Sequence, residues 1–254
     1  MSPDTEHREW DASTYDRVSD IQAEWSVEVI DRLDLEGDET VLDAGCGSGR
    51  VTKLLLERLP RGRVIGVDSS AQMIEKAREA LPERTEFVVS DLLDLEVDEP
   101  VDAIFSNATF HWILDHRRLF ERLHAVLRPG GQLEAQCGGI GNLDEFLNSL
   151  ENVNGDERFA PYVRGIASTW NFASPGDTEL RLRAAGFEDV RCSLQERPEK
   201  PRQPRDFLRV VCLGPHLERL PESLHEQYVD AVLEYIPRPL VLDYVRLNIS
   251  AKRP

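Results

Sequence analysis

A glycine-rich turn near residue 45 constrains the fold more than any other feature of the sequence. A buried strand is predicted over Thr40–Ala44, and Gly45, Gly47 and Gly49 follow it, before a segment with helical spacing of leucines. Glycines let the chain turn tightly and let a ligand contact the backbone. The next helix offers free N–H groups at the positive end of its dipole. This order predicts a nucleotide-type ligand site on a doubly wound sheet.

Strands alternate with helices through the first half of the chain. After the glycine turn, apolar runs predict strands over residues 63–67, 85–89, 101–106 and 132–136. Helical spacing predicts helices over residues 21–33 and 114–127, and between the strands. Two later strands are predicted over residues 190–195 and 244–252. We therefore expect an α/β fold whose sheet is mainly parallel, with helices on both faces.

The spacing of the glycines discriminates between ligands. A dinucleotide fingerprint needs G-x-G-x-x-G, and counting from Gly45 its third glycine would fall at Arg50. A phosphate-binding P-loop is excluded too, because no Gly-Lys-Ser/Thr follows. Asp43 instead puts a carboxylate at the strand tip, where it would repel a pyrophosphate. A carboxylate there suits a ligand with an amino group and a sulfonium charge.

Two further acids end the next two strands. Asp68 can accept hydrogen bonds from both ribose hydroxyls, and Asp91 can accept one from an adenine amino group. A lone Asp at such a place is commonly only a helix cap. Three carboxylates in register with a glycine turn favour a cationic adenosine ligand, so the sequence predicts S-adenosylmethionine (SAM) as the cofactor.

The composition argues against several other classes of protein. The net charge is −17 and no basic block occurs, which disfavours a nucleic-acid substrate. No apolar stretch approaches the ~18 residues of a membrane helix, and the polar N-terminus lacks the order of a secretory signal. The four cysteines are scattered without metal-ligand spacing. We expect a cytoplasmic protein with no metal site, either a monomer or a homodimer.

Five segments resemble the class I SAM-dependent methyltransferases in order and spacing. They are the D-x-G-x-G-x-G loop from Asp43, Asp68, the pair Ser90-Asp91, residues 102–107 and residues 127–131. The resemblance covers about residues 10–137. It implies a Rossmann-like, seven-stranded sheet whose last strand is antiparallel. It also implies that the cofactor is held by Tyr15, Asp43, Gly45, Gly47, Asp68, Ser69, Met73, Asp91, Leu92 and Asn107.

Within this class the chain is similar to small-molecule carboxyl methyltransferases, namely the trans-aconitate group and the juvenile hormone acid and fatty acid groups. Residues 10–15 resemble the segment that folds over the methionyl end of SAM, and Gln22 follows Tyr15 by seven residues. Residues 107–112 resemble the loop whose His and Trp face the reacting centre. The resemblance implies that Gln22, His111 and Trp112 form the catalytic site.

The expected chemistry is O-methylation of the carboxylate of an organic, fatty or isoprenoid acid. A carboxylate has a pKa near ~4, so it is ionised at neutral pH and needs no general base. The site needs only donors that orient it, and the side chains of Gln22, His111 and Trp112 can donate.

Other interpretations of the same residues stay open at this point. His111 could act as general base in C-, N- or hydroxyl O-methylation of another small metabolite. It could also be a structural histidine at the start of a helix. Trp112 and Tyr15 could be packing residues, and Gln22 a surface residue. The cofactor residues would also suit a SAM-binding protein without catalysis.

The predicted division of the chain follows from where the strand–helix alternation stops. Residues 1–138 are expected to form the SAM-binding α/β core with an N-terminal helix. Residues 139–254 are expected to supply a helical cap, from insertions at about 139–175 and 197–240, and the last two strands of the same sheet.

Overall fold

Seven strands form one sheet in the computed structural model, which describes residues 20–254 apart from 82, 165, 167–169 and 237, with side chains from residue 25 onward. Their spatial order is β3-β2-β1-β4-β5-β7-β6. All run parallel except β7, which is antiparallel to both of its neighbours. The strands are β1 (Thr40–Ala44), β2 (Arg63–Asp68), β3 (Thr85–Val89), β4 (Val101–Asn107), β5 (Leu127–Gly138), β6 (Glu188–Glu196) and β7 (Val245–Lys252). The predicted fold is confirmed, including the antiparallel last strand.

Helices occupy both faces of the sheet and much of the chain after β5. They are α1 (Asp20–Ile30), α2 (Arg50–Arg58), α3 (Ala71–Ala80), α4 (His116–Val126), α5 (Asp144–Asn154), α6 (Ala160–Val163), α7 (Pro175–Ala184), α8 (Pro204–Phe207), α9 (Gly214–Leu217) and α10 (Glu222–Tyr235). Short 3₁₀ turns cover Leu92–Asp94 and Phe110–Trp112, and a π-helical turn covers Leu208–Cys212. None of the described helices is both long and apolar enough to cross a membrane.

The fifth strand is longer than the sequence predicts. β5 begins at Leu127, five residues before the predicted start, because Leu127 pairs with Val101 ahead of an irregularity in the β4–β5 register. Gly130 lies there at a φ of 79°, a conformation that glycine adopts without strain. Within the insertion predicted at about 197–240, residues 204–212 form the short α8 followed directly by the π-helical turn.

Apolar side chains cover both faces of the central strands. On one face, α1 and α2 pack against β1, β2 and β4, with Leu55 and Phe105 among the buried residues. On the other face, Phe120 of α4 and Leu182 of α7 belong to the cluster that contains Leu42 and Ile104. Burial on both faces explains why these strands appear in the sequence as continuous apolar runs rather than as alternating ones.

Five of the described helices after β5 share an apolar cluster of their own, namely α5, α6 and α8–α10. We call these five the C-terminal helices. The sixth, α7, packs on the sheet instead. Trp25 of α1 and Tyr244, the residue before β7, belong to the same cluster and pack edge to face with ring centroids 5.3 Å apart. These two aromatic side chains therefore tie the C-terminal helices to the sheet.

A buried histidine lies among the C-terminal helices. His216 of α9 stacks on Tyr228, with centroids 5.9 Å apart, and Tyr228 donates a hydrogen bond to Asn154 over 2.6 Å. Burial, and secondarily the charge of Arg219, lower the pKa of His216 to about 4. The folded protein therefore holds this imidazole neutral at pH values where an unfolded histidine is already protonated.

We expect His216 to make the protein less stable in mild acid. Above the unfolded pKa of ~6.5 the imidazole is neutral in both states, so its burial costs no protonation energy. As the pH falls towards about 4, the unfolded chain takes up a proton that the folded protein resists, and the free energy of unfolding decreases. Between pH 7 and pH 4 the wild type should lose roughly 3 kcal/mol more unfolding free energy than His216→Gln. Urea unfolding of both proteins across this range measures the difference, and parallel curves would contradict the assignment.

Candidate cofactor and acceptor site

The glycine turn after β1 is held between β2 on one side and the loop after β4 on the other. Gly45, Gly47 and Gly49 all have positive φ, at 86°, 54° and 81°. The N–H groups of Gly45 and Cys46 donate to the carbonyl of Val67, over 2.8 and 3.0 Å. A Cβ on Gly45 would overlap the side chain of Thr109, in the loop after β4. The turn thus holds the carboxyl ends of β1, β2 and β4 together, and only glycine can occupy position 45 without strain.

Asp68 connects this turn to the start of α3. Its carboxylate accepts from the N–H of Gly47 and from the N–H of Ser70, both over 2.9 Å. Ser70 caps α3 by accepting from the N–H of Met73. Met73 is buried at the first turn of α3. Asp68, Ser69 and Met73 therefore lie beside the glycine turn at one edge of the sheet.

Asp43 lies at the tip of β1 but is buried, with 1 % of its surface exposed. Thr52 of α2 donates its hydroxyl to the Asp43 carboxylate over 2.7 Å. Burial, together with the like charge of Asp68, raises the pKa of Asp43 to about 7, against the lowering effect of the Thr52 hydrogen bond. A cationic group beside the turn would favour the ionised form of Asp43.

The carboxyl ends of β3 and β4 contribute one polar residue each to the same edge of the sheet. Asp91 follows β3 and accepts from the N–H of Leu93 over 2.8 Å, which fixes the turn that begins with the buried Leu92. Asn107 is the last residue of β4. Because β3, β2, β1 and β4 are neighbours in the sheet, the structure aligns Asp91, Asp68, Asp43 and Asn107 along one edge. Tyr15 lies outside the described residues.

His111 is buried in the 3₁₀ turn that follows β4. Its Nδ1 accepts from the backbone N–H of Gly138, at the end of β5, over 3.3 Å. Burial, and then the charges of Arg246 and His116, hold the pKa of His111 well below its ordinary range. The imidazole is therefore neutral at physiological pH. Since Nδ1 accepts, the proton resides on Nε2, and that nitrogen is a hydrogen-bond donor.

Two aromatic rings contact His111, and a third packs against those two. Trp112 and Phe172 have ring centroids 5.3 and 5.9 Å from the imidazole, and Trp170 lies 5.6 Å from Trp112. The segment that carries Trp170 and Phe172 is held in place by Asn171, whose N–H donates to the His111 carbonyl over 2.8 Å. We call His111, Trp112, Trp170 and Phe172 the aromatic cluster. It brings two of the three predicted catalytic residues together, whereas the side chain of Gln22, in α1, lies outside the described part.

Several residues at this edge have no counterpart in the sequence-based prediction. Thr52 and Thr109 support Asp43 and Gly45, and His116 donates to the carbonyl of Phe110 over 2.9 Å, beside His111. Phe172 and Arg246 come from the C-terminal part, where the resemblance was weak. Arg246 carried no signal of its own, because it occupies one of the polar positions in the alternating strand predicted over residues 244–252.

Comparisons with known proteins agree with this arrangement. Residues 41–131 match the family model described as a methyltransferase domain. The chain is 34% identical to a trans-aconitate 2-methyltransferase of Azoarcus sp. (strain BH72), with 87% of each chain covered. It is 40% identical to a trans-aconitate 2-methyltransferase of Shigella dysenteriae serotype 1, covering 96% of this chain and 98% of the relative.

The fold is also found among solved structures. A phosphoethanolamine N-methyltransferase 2 of Haemonchus contortus, solved in complex with phosphomonomethylethanolamine and S-adenosylhomocysteine, superposes with a TM-score of 0.64 at 19% identity. The superposition covers 96% of this chain and 57% of that one. The glycine turn and the aligned strand tips agree with these comparisons. The chain belongs to the class I methyltransferases, enzymes that use SAM as their cofactor.

Proposed function

We propose that the enzyme transfers the methyl group of SAM to a carboxylate oxygen of a small organic acid. The relatives at 34% and 40% identity are named for trans-aconitate, a small acid with several carboxylates. The observation that carries the proposal is the hydrogen bond from the Gly138 N–H to Nδ1 of His111, which leaves Nε2–H as the group that the imidazole can offer to a ligand. Such a group suits an acceptor that is already ionised.

The geometry of His111 disfavours the alternative of a general base. A base must offer a free lone pair to the proton that it removes. In His111 the Nδ1 lone pair is taken by the N–H of Gly138, and Nε2 carries the remaining proton. The low pKa weakens the imidazole further as a base. Phenol, alcohol and amine acceptors, which must lose a proton, are therefore poorer candidates than carboxylic acids.

The residues at the sheet edge fit SAM on chemical grounds. Bound there, SAM would supply an electrophilic methyl group on a sulfonium. We propose that the glycine turn and the neighbouring strand tips hold it, through Tyr15, Asp43, Gly45, Gly47, Asp68, Ser69, Met73, Asp91, Leu92 and Asn107. A positive ligand next to the buried Asp43, whose pKa is about 7, would stabilise the ionised carboxylate.

On the acceptor side, the chain's own residues would position the acid and exclude water. We propose that Nε2–H of His111, the indole N–H of Trp112 and the amide of Gln22 donate to the carboxylate. The rings of the aromatic cluster would keep water from the reacting centre. The C-terminal helices are proposed to form the cap over this side.

All four cysteines are free thiols, which supports a reducing compartment such as the cytoplasm.

A panel of acceptors tests the proposed reaction. With SAM labelled in the methyl group, we expect label transfer to small carboxylic acids, trans-aconitate among them. Mild alkali should release this label as methanol, because a methyl ester hydrolyses where a methyl ether or methylamine does not. Label that appears only on phenols or amines, and that survives alkali, would refute carboxyl methylation.

Gly45→Ala should weaken SAM binding by about tenfold or more. An alanine at a φ of 86° is strained by ~1–2 kcal/mol, and its Cβ would overlap Thr109, so the turn must shift away from β4. Calorimetric titration with SAM measures the affinity. Gly176→Ala is the matched control, because a Cβ there meets nothing within 4 Å and SAM affinity should not change. Equal affinities for wild type and Gly45→Ala would contradict this role of the turn.

Substitution of His111 separates orientation from base catalysis. His111→Ala should lower kcat/KM about 10- to 100-fold, the effect of losing one hydrogen bond to a charged acceptor. His111→Gln should lose less, because its amide N–H can still donate. The pH profile of kcat/KM should keep its shape between about pH 7 and 9, since His111 is already neutral there.

His225→Ala, in α10 and outside the aromatic cluster, serves as the control and should leave the rates unchanged. A loss of several orders of magnitude in His111→Ala, together with the disappearance of a basic limb from the pH profile, would instead show that His111 removes a proton.

A further inference from the structure

The loop after β4 depends on other segments to bind its backbone carbonyl groups. Its 3₁₀ turn is three residues long, and a turn this short leaves most of its carbonyls to find partners outside it. The carbonyl of Phe110 accepts from the N–H of Ile113 over 3.0 Å and from Nε2 of His116 over 2.9 Å. The carbonyls of His111 and Leu114 both accept from a single residue of a distant segment.

That residue is Asn171, which precedes α7. Its backbone N–H donates to the His111 carbonyl over 2.8 Å, and its side-chain Nδ2 donates to the Leu114 carbonyl over 3.0 Å. The same segment is bound to the end of β5 as well, because the N–H of Ile140 donates to the carbonyl of Ala173 over 3.0 Å. The segment therefore crosses from the end of β5 to the loop after β4, and Asn171 fastens it to that loop.

The two rings beside Asn171 in the sequence lie against the loop that it holds. Trp170 and Phe172 are parallel to within 6°, with ring centroids 6.0 Å apart, as expected for residues i and i+2 on one side of an extended chain. Trp170 packs on Trp112 with centroids 5.6 Å apart. Phe172 stacks on His111 with centroids 5.9 Å apart. The two hydrogen bonds of Asn171 therefore determine how closely both rings approach the loop.

Phe172 also covers the hydrogen bond that fixes the tautomer of His111. A Cβ on Gly138 would lie 2.7 Å from the Phe172 ring, so the ring is in contact with this glycine. The bond from the Gly138 N–H to Nδ1 of His111 is long, at 3.3 Å, and water would compete with it readily. His111 is buried in the observed arrangement. A displacement of Phe172 would therefore open this bond to water.

Resting on the proposed carboxyl methylation, in which His111 orients the acceptor, we infer that Asn171 is a positioning residue for methyl transfer. It clamps residues 170–173 onto the loop after β4, so that Phe172 keeps water from Nδ1 and Nε2–H stays directed at the acceptor. Asn171 acts through the imidazole, and its two donors serve the backbone of the loop.

The kinetic test uses trans-aconitate as the acceptor. Asn171→Ala should lower kcat about tenfold, because a displacement of ~1 Å at an orienting group can cost up to about 100-fold. The KM and the SAM affinity should change less than about threefold, since orientation is lost and the glycine turn is untouched. Asn171→Gln keeps an amide donor and should recover part of kcat. Asn152→Ala is the matched control, because Asn152 also donates its amide to a backbone carbonyl over 3.0 Å, but within α5.

Nuclear magnetic resonance of histidine-labelled protein tests the clamp without any turnover. In the wild type His111 stays neutral as the pH falls below its ordinary pKa, because burial and the charges of Arg246 on β7 and His116 on α4 oppose its protonation. Both charges remain in Asn171→Ala, but water that reaches the ring reduces the cost of burial, so the pKa of His111 should rise. His111→Gln identifies the signals that belong to His111, and Asn152→Ala should titrate as wild type.

An unchanged kcat in Asn171→Ala would overturn the inference, and so would an unchanged titration of His111. An equal loss of SAM affinity, or the same effects in Asn152→Ala, would also overturn it, because each would indicate a general change in structure. A raised pKa of His111 in Asn171→Ala, in an enzyme that methylates no acid, would refute the proposed reaction and support the clamp. If Asn171→Ala does not fold, Asn171→Ser, whose side chain is one bond shorter, gives the same readouts.

Discussion

The close approach of the β1 turn to the loop after β4 is the contact on which the rest of the site depends. It exists because Gly45 has no side chain, so Thr109 can occupy the space where a Cβ would stand. On the other side, the same turn is held by the Val67 carbonyl. Asp43, Asp68 and Asn107 belong to the strands that meet at this point, and α2 and the 3₁₀ turn with His111 begin there. One missing side chain thus brings the acidic strand tips and the imidazole to the same edge.

Charge is distributed unevenly along that edge. The tips of β1, β2 and β3 carry Asp43, Asp68 and Asp91, whereas the turn after β4 carries the neutral His111 and the start of β7 carries the positive Arg246. In the proposed reaction a sulfonium cation meets a carboxylate anion, and both products at the reacting centre are neutral. A desolvated site favours a step that removes charge. In this proposal, acids beside the cation and donors beside the anion would hold the two reactants in place while the aromatic cluster would exclude water.

Local patterns were sufficient to predict the cofactor half of the fold. Apolar runs bounded by turns placed β1 and β3 at their observed residues, and three glycines with an acid at each strand tip indicated both the turn and its ligand. The early start of β5 was missed because it depends on a register irregularity against β4. Phe172 and Arg246 were missed because their places follow from pairings between distant segments, such as Gly138 with Arg246. No spacing within a segment records such a register, and the roles of Tyr15 and Gln22 remain predictions.

Substitutions on the cofactor side and on the proposed acceptor side should have different effects on the choice of acceptor. The cofactor side centres on one continuous motif, residues 43–49, so a substitution there disturbs the turn itself. The proposed acceptor side is formed by the carboxyl ends of β4 and β5, the start of β7 and residues 170–172, which meet around Gly138. A Cβ on Gly138 would lie 2.7 Å from the Phe172 ring, so even this meeting point depends on a missing side chain. Changes in β7 or in residues 170–172 can therefore alter the groups proposed to face the acceptor while the glycine turn and its acids stay in place.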